Sequence, residues 1–470
     1  MHVHRKFDGH SFVFIILKKA TNMNKNRLYA ALIILFIGAA GFVVLKFNKG
    51  ETKKKAFVYQ LLERKGTLKN SPEWATTKEN AAKLSAAIKA NPADTKSKVA
   101  LANLFIMEAR ATGNYQYYDM AAMKNVNEIL AKEPGNFEAL TLKSLLYLSQ
   151  HHFADGLAMA ETAAKINPYN AFLYGILVDG HVEMGNYDSA VINAEKMMSI
   201  RPDLRSYARA SYLREIYGDY PGAIQAMEMA IDAGVPGDES TEWSRVQLGH
   251  LYENVGDLKT AGQQYTIALN VRPGYVQALA GMARLALATK DYDKAIDYYR
   301  QADALSSDFS FKEEMVDVYQ LAGQNEKAET TAKMVIEEMN KNASAAANDE
   351  SIGHYADKEL AYAYLKVNNY DKALEHALAE YNRRPKNIDV NETLAWVYYQ
   401  KGDYSKALPH IQIALQTNSK NPVLLCRAGL IYEKAGDKVK AKGYLEQALK
   451  NNAYLPEHLK RMSEQLLNKI

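Results

Sequence analysis

Cysteine is nearly absent from this sequence, since Cys426 is the only one among 470 residues. A single thiol cannot form a disulfide within the chain or a CxxC metal site, and no cysteine follows the amino-terminal apolar segment to carry a lipid. No partner for a nucleophile stands beside Cys426 in the sequence. We therefore expect it to pack inside a helical hairpin.

Signatures of the common enzyme classes are also missing. The sequence contains no GxxxxGK loop, no GxGxxG after a strand, no HExxH and no GxSxG, and it lacks strand-forming stretches that would carry most of them. The adjacent His151 and His152, like His354 and His376, have no third ligand nearby in the sequence, so we interpret them as surface residues. We predict a protein that is not an enzyme and has no cofactor and no metal site.

Charge is divided unevenly along the chain. The formal net charge is +4, but residues 1–55 carry +9 and the rest carries −5. A mildly acidic body lacks the basic surface that phosphate neutralisation requires, so we predict no nucleic-acid partner.

The amino-terminal region contains an apolar run, residues 28–45, flanked by basic residues on both sides. Eighteen uncharged residues reach the minimum length of a membrane-spanning helix, and the pattern resembles a bacterial signal anchor. We predict a single-pass membrane protein with its body on the extracytoplasmic side. The alternative is a cleaved secretory signal ending near Ala39 to Gly41, and Met23 is an alternative start.

A repeat occupies most of the remaining chain. Pro134, Pro168 and Pro202 lie 34 residues apart and each closes a similar phrase. A second marker, a turn such as Gly185-Asn186-Tyr187 or Gly402-Asp403-Tyr404, recurs with nearly the same period. Two markers with one period predict a helical repeat array.

These residues resemble the tetratricopeptide repeat family, of a bacterial membrane-anchored type. The resemblance is carried by a small residue and a tyrosine in each first helix, such as Gly249 with Tyr252 and Gly429 with Tyr432, and by paired alanines in the second helix, such as Ala407 with Ala414. It implies an all-α, right-handed superhelical solenoid of about ten hairpins, preceded by one transmembrane helix.

The sequence therefore divides into seven parts. They are a basic segment (1–27), the transmembrane helix or signal anchor (28–47), a basic linker (48–70), an amino-terminal array (71–340), a polar loop or hinge (341–353), a carboxy-terminal array (354–454) and a capping helix (455–470).

The resemblance also implies a binding surface, because first helices of this family line a concave face that holds peptides. Mapped onto this chain, the face carries arginine and aromatic residues of the kinds that dominate protein interfaces. The candidate partner-binding residues are Arg205, Arg209, Tyr212, Trp243, His250, Arg284, Tyr355, Lys358, Tyr362, Trp396 and Tyr399. We expect a partner segment with carboxylates and apolar side chains.

The leading functional hypothesis is a membrane-anchored scaffold that binds protein or peptide segments, in the assembly of an envelope complex. One alternative is a helical-repeat protein that binds a substrate or glycan of the cell envelope, and another is a regulatory module of an enzyme. Self-association is left open.

Overall fold

Helices are the only regular elements in the described part of the chain. The computed structural model describes residues 58–71, 73–347, 353–450 and 455–470, together with residues 29, 32, 33 and 36–38 near the amino terminus. Residues Leu61–Ile470 form one compact unit. The solenoid described below belongs to this unit.

The unit begins with a 3-10 helix, Gly66–Asn70, and a single helix α1, Trp74–Ala90. Ten hairpins of two consecutive helices follow: α2 Thr95–Thr112 and α3 Tyr115–Leu130; α4 Phe137–Ser149 and α5 Phe153–Ile166; α6 Ala171–Glu183 and α7 Tyr187–Ile200; α8 Leu204–Ile216 and α9 Tyr220–Asp232; α10 Glu239–Val255 and α11 Leu258–Val271; α12 Val276–Ala288 and α13 Tyr292–Leu305; α14 Ser310–Leu321 and α15 Asn325–Ala347; α16 Asp357–Lys366 and α17 Tyr370–Arg383; α18 Ile388–Gln400 and α19 Tyr404–Ala414; α20 Pro422–Lys434 and α21 Lys438–Leu449. The last helix is α22, Glu457–Leu467. The predicted all-helical solenoid of hairpins is confirmed.

The repeated turn ends one helix and begins the next. Gly256 adopts φ 85° after α10, a left-handed conformation that glycine tolerates best. The following Asp257 then accepts a hydrogen bond from the backbone N–H of Thr260, which caps α11. Other hairpins of the array repeat this arrangement, in which glycine ends the first helix and aspartate caps the second. The Gly-Asp pair therefore sets the boundary between the two helices.

Small residues allow the two helices of each hairpin to pack closely. The paired alanines of the second helices are fully buried, among them Ala261, Ala268, Ala295, Ala302, Ala407, Ala414, Ala441 and Ala448. Gly249 and Gly281 lie against the Tyr265 ring, and a Cβ atom at these glycines would fall 2.3 and 2.7 Å from it. The small residues therefore make room for the aromatic ring between neighbouring helices.

Replacing Ala407 by leucine should lower the free energy of unfolding by about 1 to 3 kcal/mol, because three added carbons have no free volume at a fully buried crossing. Urea denaturation would measure the loss. Gln412→Leu, at an exposed position of the same helix, is the control and should change stability by less than about 0.5 kcal/mol. Equal stability of the two variants would contradict this assignment of the hairpin interior.

Residues about 200 positions apart come into contact, because the solenoid winds back on itself. Arg384 pairs with the Glu183 carboxylate and lies over the Phe153 ring, 4.2 Å from its centroid. Asn387 donates to the carbonyl oxygen of Glu183 at 3.0 Å, and the N–H of Ile388 donates to the Tyr187 hydroxyl at 2.8 Å. Hairpins of the second half therefore lie against those of the first half.

The histidines between α4 and α5 belong to this internal contact. His152 is only 5% exposed; its Nε2 atom lies 2.5 Å from the carbonyl oxygen of Gly353, and its ring stacks on Tyr355. His151 lies with Nδ1 3.0 Å from the Tyr355 carbonyl oxygen. The interpretation of this pair as surface turn residues is wrong, since a contact across some 200 residues covers them.

The residues before α1 are also part of the folded unit. Arg64 is 3% exposed and forms a two-bond ion pair with the buried Glu108, at 3.1 and 2.5 Å. Glu73 accepts from both Arg64 and Arg272 at 2.8 Å. Within the predicted basic linker, 48–70, residues from 61 onward therefore pack on the solenoid, while residues 48–57 lie outside the described residues.

Replacing Arg64 by methionine should destabilise the chain by about 3 to 5 kcal/mol, since it leaves the Glu108 carboxylate buried without its partner. Chemical denaturation measures the difference from the parent chain. Lys69→Met, which removes an exposed basic residue of the same segment, should cost about 1 kcal/mol or less. An Arg64→Met protein as stable as the parent would show that the Arg64–Glu108 ion pair contributes little to the free energy of unfolding.

The first part of the predicted polar loop, 341–353, is helical. Residues 341–347 belong to helix α15, whose continuation is consistent with the helix-forming alanines at the end of this segment. Residues 348–352 lie outside the described residues. Leu61–Ile470 is one compact unit. The division of its hairpins into two arrays stays a prediction.

Within the described residues, no helix is both long enough and apolar enough to cross a membrane. A spanning helix needs about 20 consecutive apolar residues. The prediction of a single-pass membrane protein with an extracytoplasmic body is therefore corrected. Most of the predicted segment 28–47, the basic segment 1–27 and the alternative start Met23 lie outside the described residues.

Candidate partner-binding surface

First helices of neighbouring hairpins touch one another and form what we call the inner row. Helix α2 contacts α4, α4 contacts α6, α6 contacts α8, and α8 contacts α10, and the pairs α10 with α12, α14 with α16, α16 with α18 and α18 with α20 continue the pattern. Helices that skip a partner in sequence and still touch lie on the short side of a curved stack. The predicted binding residues of the first helices, from Arg205 to Tyr399, belong to the inner row, while Tyr355 immediately precedes α16.

The two arginines of α8 differ in their surroundings. Arg209 pairs with Asp179 of α6 through two bonds, at 2.9 and 2.6 Å, and also donates to the Gly175 carbonyl oxygen at 3.0 Å. Arg205 is exposed and lies over the Phe172 ring, 5.1 Å from its centroid. Arg209 therefore joins adjacent hairpins, and Arg205 retains donors that can reach a partner.

Tyr212 is the most exposed aromatic residue of this set, with 40% of its surface accessible. Its pKa is raised well above the usual range, first by burial and then by the negative charges of Asp389, Glu183 and Glu215. Asp389 belongs to α18, so the inner row of the second half faces that of the first half here. An accessible ring thus stands among carboxylates.

Helices α10 and α12 are joined by a buried polar cluster. Arg284 donates to Glu253 Oε2 at 3.0 Å and approaches His250 Nδ1 at 2.8 Å, while the Tyr265 hydroxyl donates to Glu253 Oε1 at 2.8 Å. Burial, followed by the positive charge of Arg284, lowers the pKa of His250. The imidazole is therefore neutral near pH 7, and the Arg284 charge is balanced within the cluster.

Trp243 is half-buried and packs on the apolar cluster of α8, α9 and α10, beside Leu204 and Tyr207. Part of the Trp243 surface remains accessible. Trp243 can therefore offer apolar area to a partner while it also contributes to the stability of the array.

Tyr355 lies in the contact between the two halves of the solenoid. Its N–H donates to the Gln150 carbonyl oxygen at 3.1 Å, its ring stacks on His152, and the Arg383 guanidinium lies 4.4 Å above it. These contacts assign Tyr355 to the internal interface.

Lys358, Tyr362 and Arg427 lie on first helices of the inner row in the second half. Arg427 of α20 donates to the Tyr362 hydroxyl and to Glu392 Oε1, both at 2.9 Å. Burial would lower the pKa of Lys358, but Asp389, Glu359 and Glu183 outweigh it and raise the pKa. Lys358 is therefore a cation placed among carboxylates.

Trp396 is only 4% exposed and packs beside Leu425 and Cys426 in the core of the last hairpins. Arg427 lies over its ring at 5.1 Å, and Tyr399 stacks on it at 4.9 Å. Its assignment as a contact residue is corrected, because the first helix turns this position towards its neighbours. Tyr399 remains half-buried at the edge.

Three stretches of the chain match models of known families. One model, described as "Tetratricopeptide repeat", matches residues 246–308 and 358–422, and a second with the same description matches residues 423–454. These stretches, which make up less than half of the chain, are similar to tetratricopeptide repeats.

One curated relative supports the same family. It is the small glutamine-rich tetratricopeptide repeat-containing protein 2 of Saccharomyces cerevisiae (strain ATCC 204508 / S288c), 27% identical over 119 residues. The match covers 25% of this chain, and the chain spans about a third, 34%, of the yeast protein's length.

Solved repeat proteins resemble parts of the array. A tetratricopeptide repeat protein from Parabacteroides merdae ATCC 43184 is 18% identical, with 56% of this chain and 97% of that chain covered and a TM-score of 0.33. A thermophilic TPR protein of Thermus thermophilus is 19% identical, with coverage of 44% and 98% and a TM-score of 0.34. These superpositions are too loose to support an inference about function.

The first helices of this chain have acidic residues on the inner row that the sequence analysis missed. They are Asp179, Glu183, Glu215, Glu253, Asp389 and Glu392, all on first helices. Their signal was visible, because Glu183, Glu215 and Glu253 each stand two or three residues before the turn glycine. The predicted face of arginine and aromatic residues is thus a mixed-charge surface.

Glu215 should make stability depend on pH. Burial raises its pKa to about 7, although the hydrogen bond from Asn254 opposes the shift. A carboxyl group with a higher pKa in the folded chain binds more protons there than in the unfolded chain, whose value is 4.5. Its contribution to stability therefore falls as the pH rises from about 4.5 to 7.

Glu215→Gln keeps an oxygen for Asn254 and removes the charge. We expect the variant to unfold at higher urea than the parent at about pH 8 and to match it below about pH 4.5. The exposed Glu195→Gln is the control and should show no such trend. A constant difference for Glu215→Gln across this range would contradict the raised pKa.

Proposed function

We propose that this chain is a scaffold that binds a segment of a partner protein along the inner row of its tetratricopeptide repeats. The observation that carries the proposal is Tyr212, an aromatic residue of a first helix that is 40% exposed and lies near the carboxylates of Asp389, Glu183 and Glu215. Aromatic residues in such settings contribute much of the binding energy at protein interfaces.

The charge of the inner row bears on the chemistry of the partner. Arg209, Arg284 and Arg427 already pair with carboxylates of adjacent first helices. A partner carboxylate would have to displace these internal pairs, at the cost of leaving a shielded carboxylate unpaired. Paired arginines therefore favour the cohesion of the array over the binding of an acidic segment.

Carboxylates near Tyr212 favour a basic segment instead. Glu215 and Asp389 contribute to the raised pKa of Tyr212 from two different parts of the solenoid, whereas Glu183 is already paired with Arg384. Asn254 donates to Glu215 at 3.1 Å, which leaves further acceptor capacity on that carboxylate. We expect the partner segment to place a lysine or arginine here, with an apolar or aromatic side chain against the Tyr212 ring.

The described residues give no support to an envelope complex, a glycan-binding role or a regulatory module of an enzyme. An envelope complex was inferred from the membrane helix, which the described residues do not supply. No geometry of the inner row favours a glycan or a catalytic module over a protein segment. The proposal is therefore limited to a protein-binding scaffold.

Tyr212→Ala should weaken binding of the partner by about 2 kcal/mol, which corresponds to about 30-fold in Kd. The partner is first identified by crosslinking the full chain in its native cells and by mass spectrometry. Its bound segment is then titrated calorimetrically against the parent and the variant. Circular dichroism verifies that the variant remains folded.

Tyr169→Ala is the matched control, because Tyr169 is 77% exposed between α5 and α6 and lies outside the inner row. It should leave Kd unchanged within about twofold. The exposed Lys259 and Lys294 provide two further controls on second helices. If the control variants abolish binding and Tyr212→Ala does not, the partner binds the outer surface and the proposal fails.

A further inference from the structure

Three metal-ligating side chains meet where the two halves of the solenoid touch. His151 comes from the turn between α4 and α5, His354 from the residues before α16, and Glu359 from the first turn of α16. One ligating atom of each lies within 4.8 Å of the others. The two imidazole rings have centroids 4.1 Å apart.

The His151 imidazole is held in the form that binds a metal ion. Its Nδ1 atom lies 3.0 Å from the Tyr355 carbonyl oxygen, which can only accept a hydrogen bond. A ring nitrogen that donates to a carbonyl leaves the other nitrogen with its lone pair, and metal-binding histidines are oriented in this way.

The carboxylate supplies an acceptor that the protein leaves unused. Glu359 Oε2 is shielded from solvent and has no hydrogen-bond partner. A buried carboxylate oxygen without a donor is costly, because it loses its hydration without compensation. A cation between Glu359 and the two histidines would remove this cost.

We propose that His151, His354 and Glu359 bind one divalent transition-metal ion of the zinc type. Two imidazole nitrogens and one carboxylate oxygen form a donor set that zinc accepts, with water as the fourth ligand. Ligands of a tetrahedral zinc ion lie about 3.4 Å apart, as bond lengths of about 2.1 Å require. Side-chain adjustments of about 1 Å would bring the three groups to that spacing.

Such a site would fasten two distant parts of the chain. His151 belongs to the second hairpin, whereas His354 and Glu359 stand at the start of the eighth, some 200 residues later. A metal ion that binds only when these parts touch stabilises the wound form of the solenoid. The inner row around Tyr212 and Asp389 depends on the same approach of the two halves. The inference does not rest on the proposed partner binding.

Zinc binding to the full chain, freed of metal with a chelator, tests the proposal. We expect isothermal titration with Zn²⁺ to show a site that His354→Gln and Glu359→Gln each weaken at least tenfold. Zn²⁺ should also raise the melting temperature of the parent chain and raise that of either variant less. Because the chain has 11 histidines, the deciding quantity is the difference between the parent and each variant in the number of zinc ions bound per chain.

His410→Gln is the matched control, since His410 is a partly buried histidine bonded to Asn391 and distant from the cluster in the sequence. It should retain the parent's affinity for zinc. Co²⁺ bound to the parent should give the visible absorption of a low-coordinate site, absent from His354→Gln, and Mg²⁺ should not compete. Equal zinc affinity of the parent and both cluster variants, all shown folded by circular dichroism, would overturn the proposal, as would the absence of binding by the parent.

Discussion

Close packing at small residues is the constraint on which the rest of this structure depends. Where Gly249 and Gly281 face Tyr265, the two glycines leave the space that the ring occupies, and the ring in turn brings its hydroxyl to Glu253. Each hairpin buries its apolar faces mainly against its neighbours. The distance and angle between helices are thus set locally and repeated, and their sum gives the curvature that brings first helices together as the inner row.

The curvature of ten successive hairpins brings distant parts of the chain into contact, which a single repeat cannot do. After about 200 residues the solenoid meets itself, and side chains such as Arg384 and Asn387 then contact Glu183 of an earlier hairpin. This contact covers His152 and places His354 beside His151. Residues that would be solvent-exposed in a short array become a polar interface inside a single chain.

Electrostatics on the inner row follow from the same geometry. Neighbouring first helices come close enough for Arg209 to pair with Asp179 and for Arg284 to pair with Glu253, each across one hairpin. These pairs lie in partly shielded surroundings, where an unpaired charge would be costly. The inner row therefore combines internal cohesion with a few accessible groups, of which Tyr212 is the clearest.

The sequence by itself determined the local features of this protein. The period of the prolines, the Gly-Asp turns and the paired alanines predicted the helices and their hairpins, because helix ends and close crossings depend on residues only a few positions apart. Tertiary structure alone decided the neighbours of His151, the burial of Trp396 and the packing of Arg64 against Glu108. Those contacts depend on the accumulated rotation of many repeats, in which a small change per hairpin alters which distant residues meet. The sequence pattern predicts each repeat, but it does not predict the accumulated rotation of the whole array.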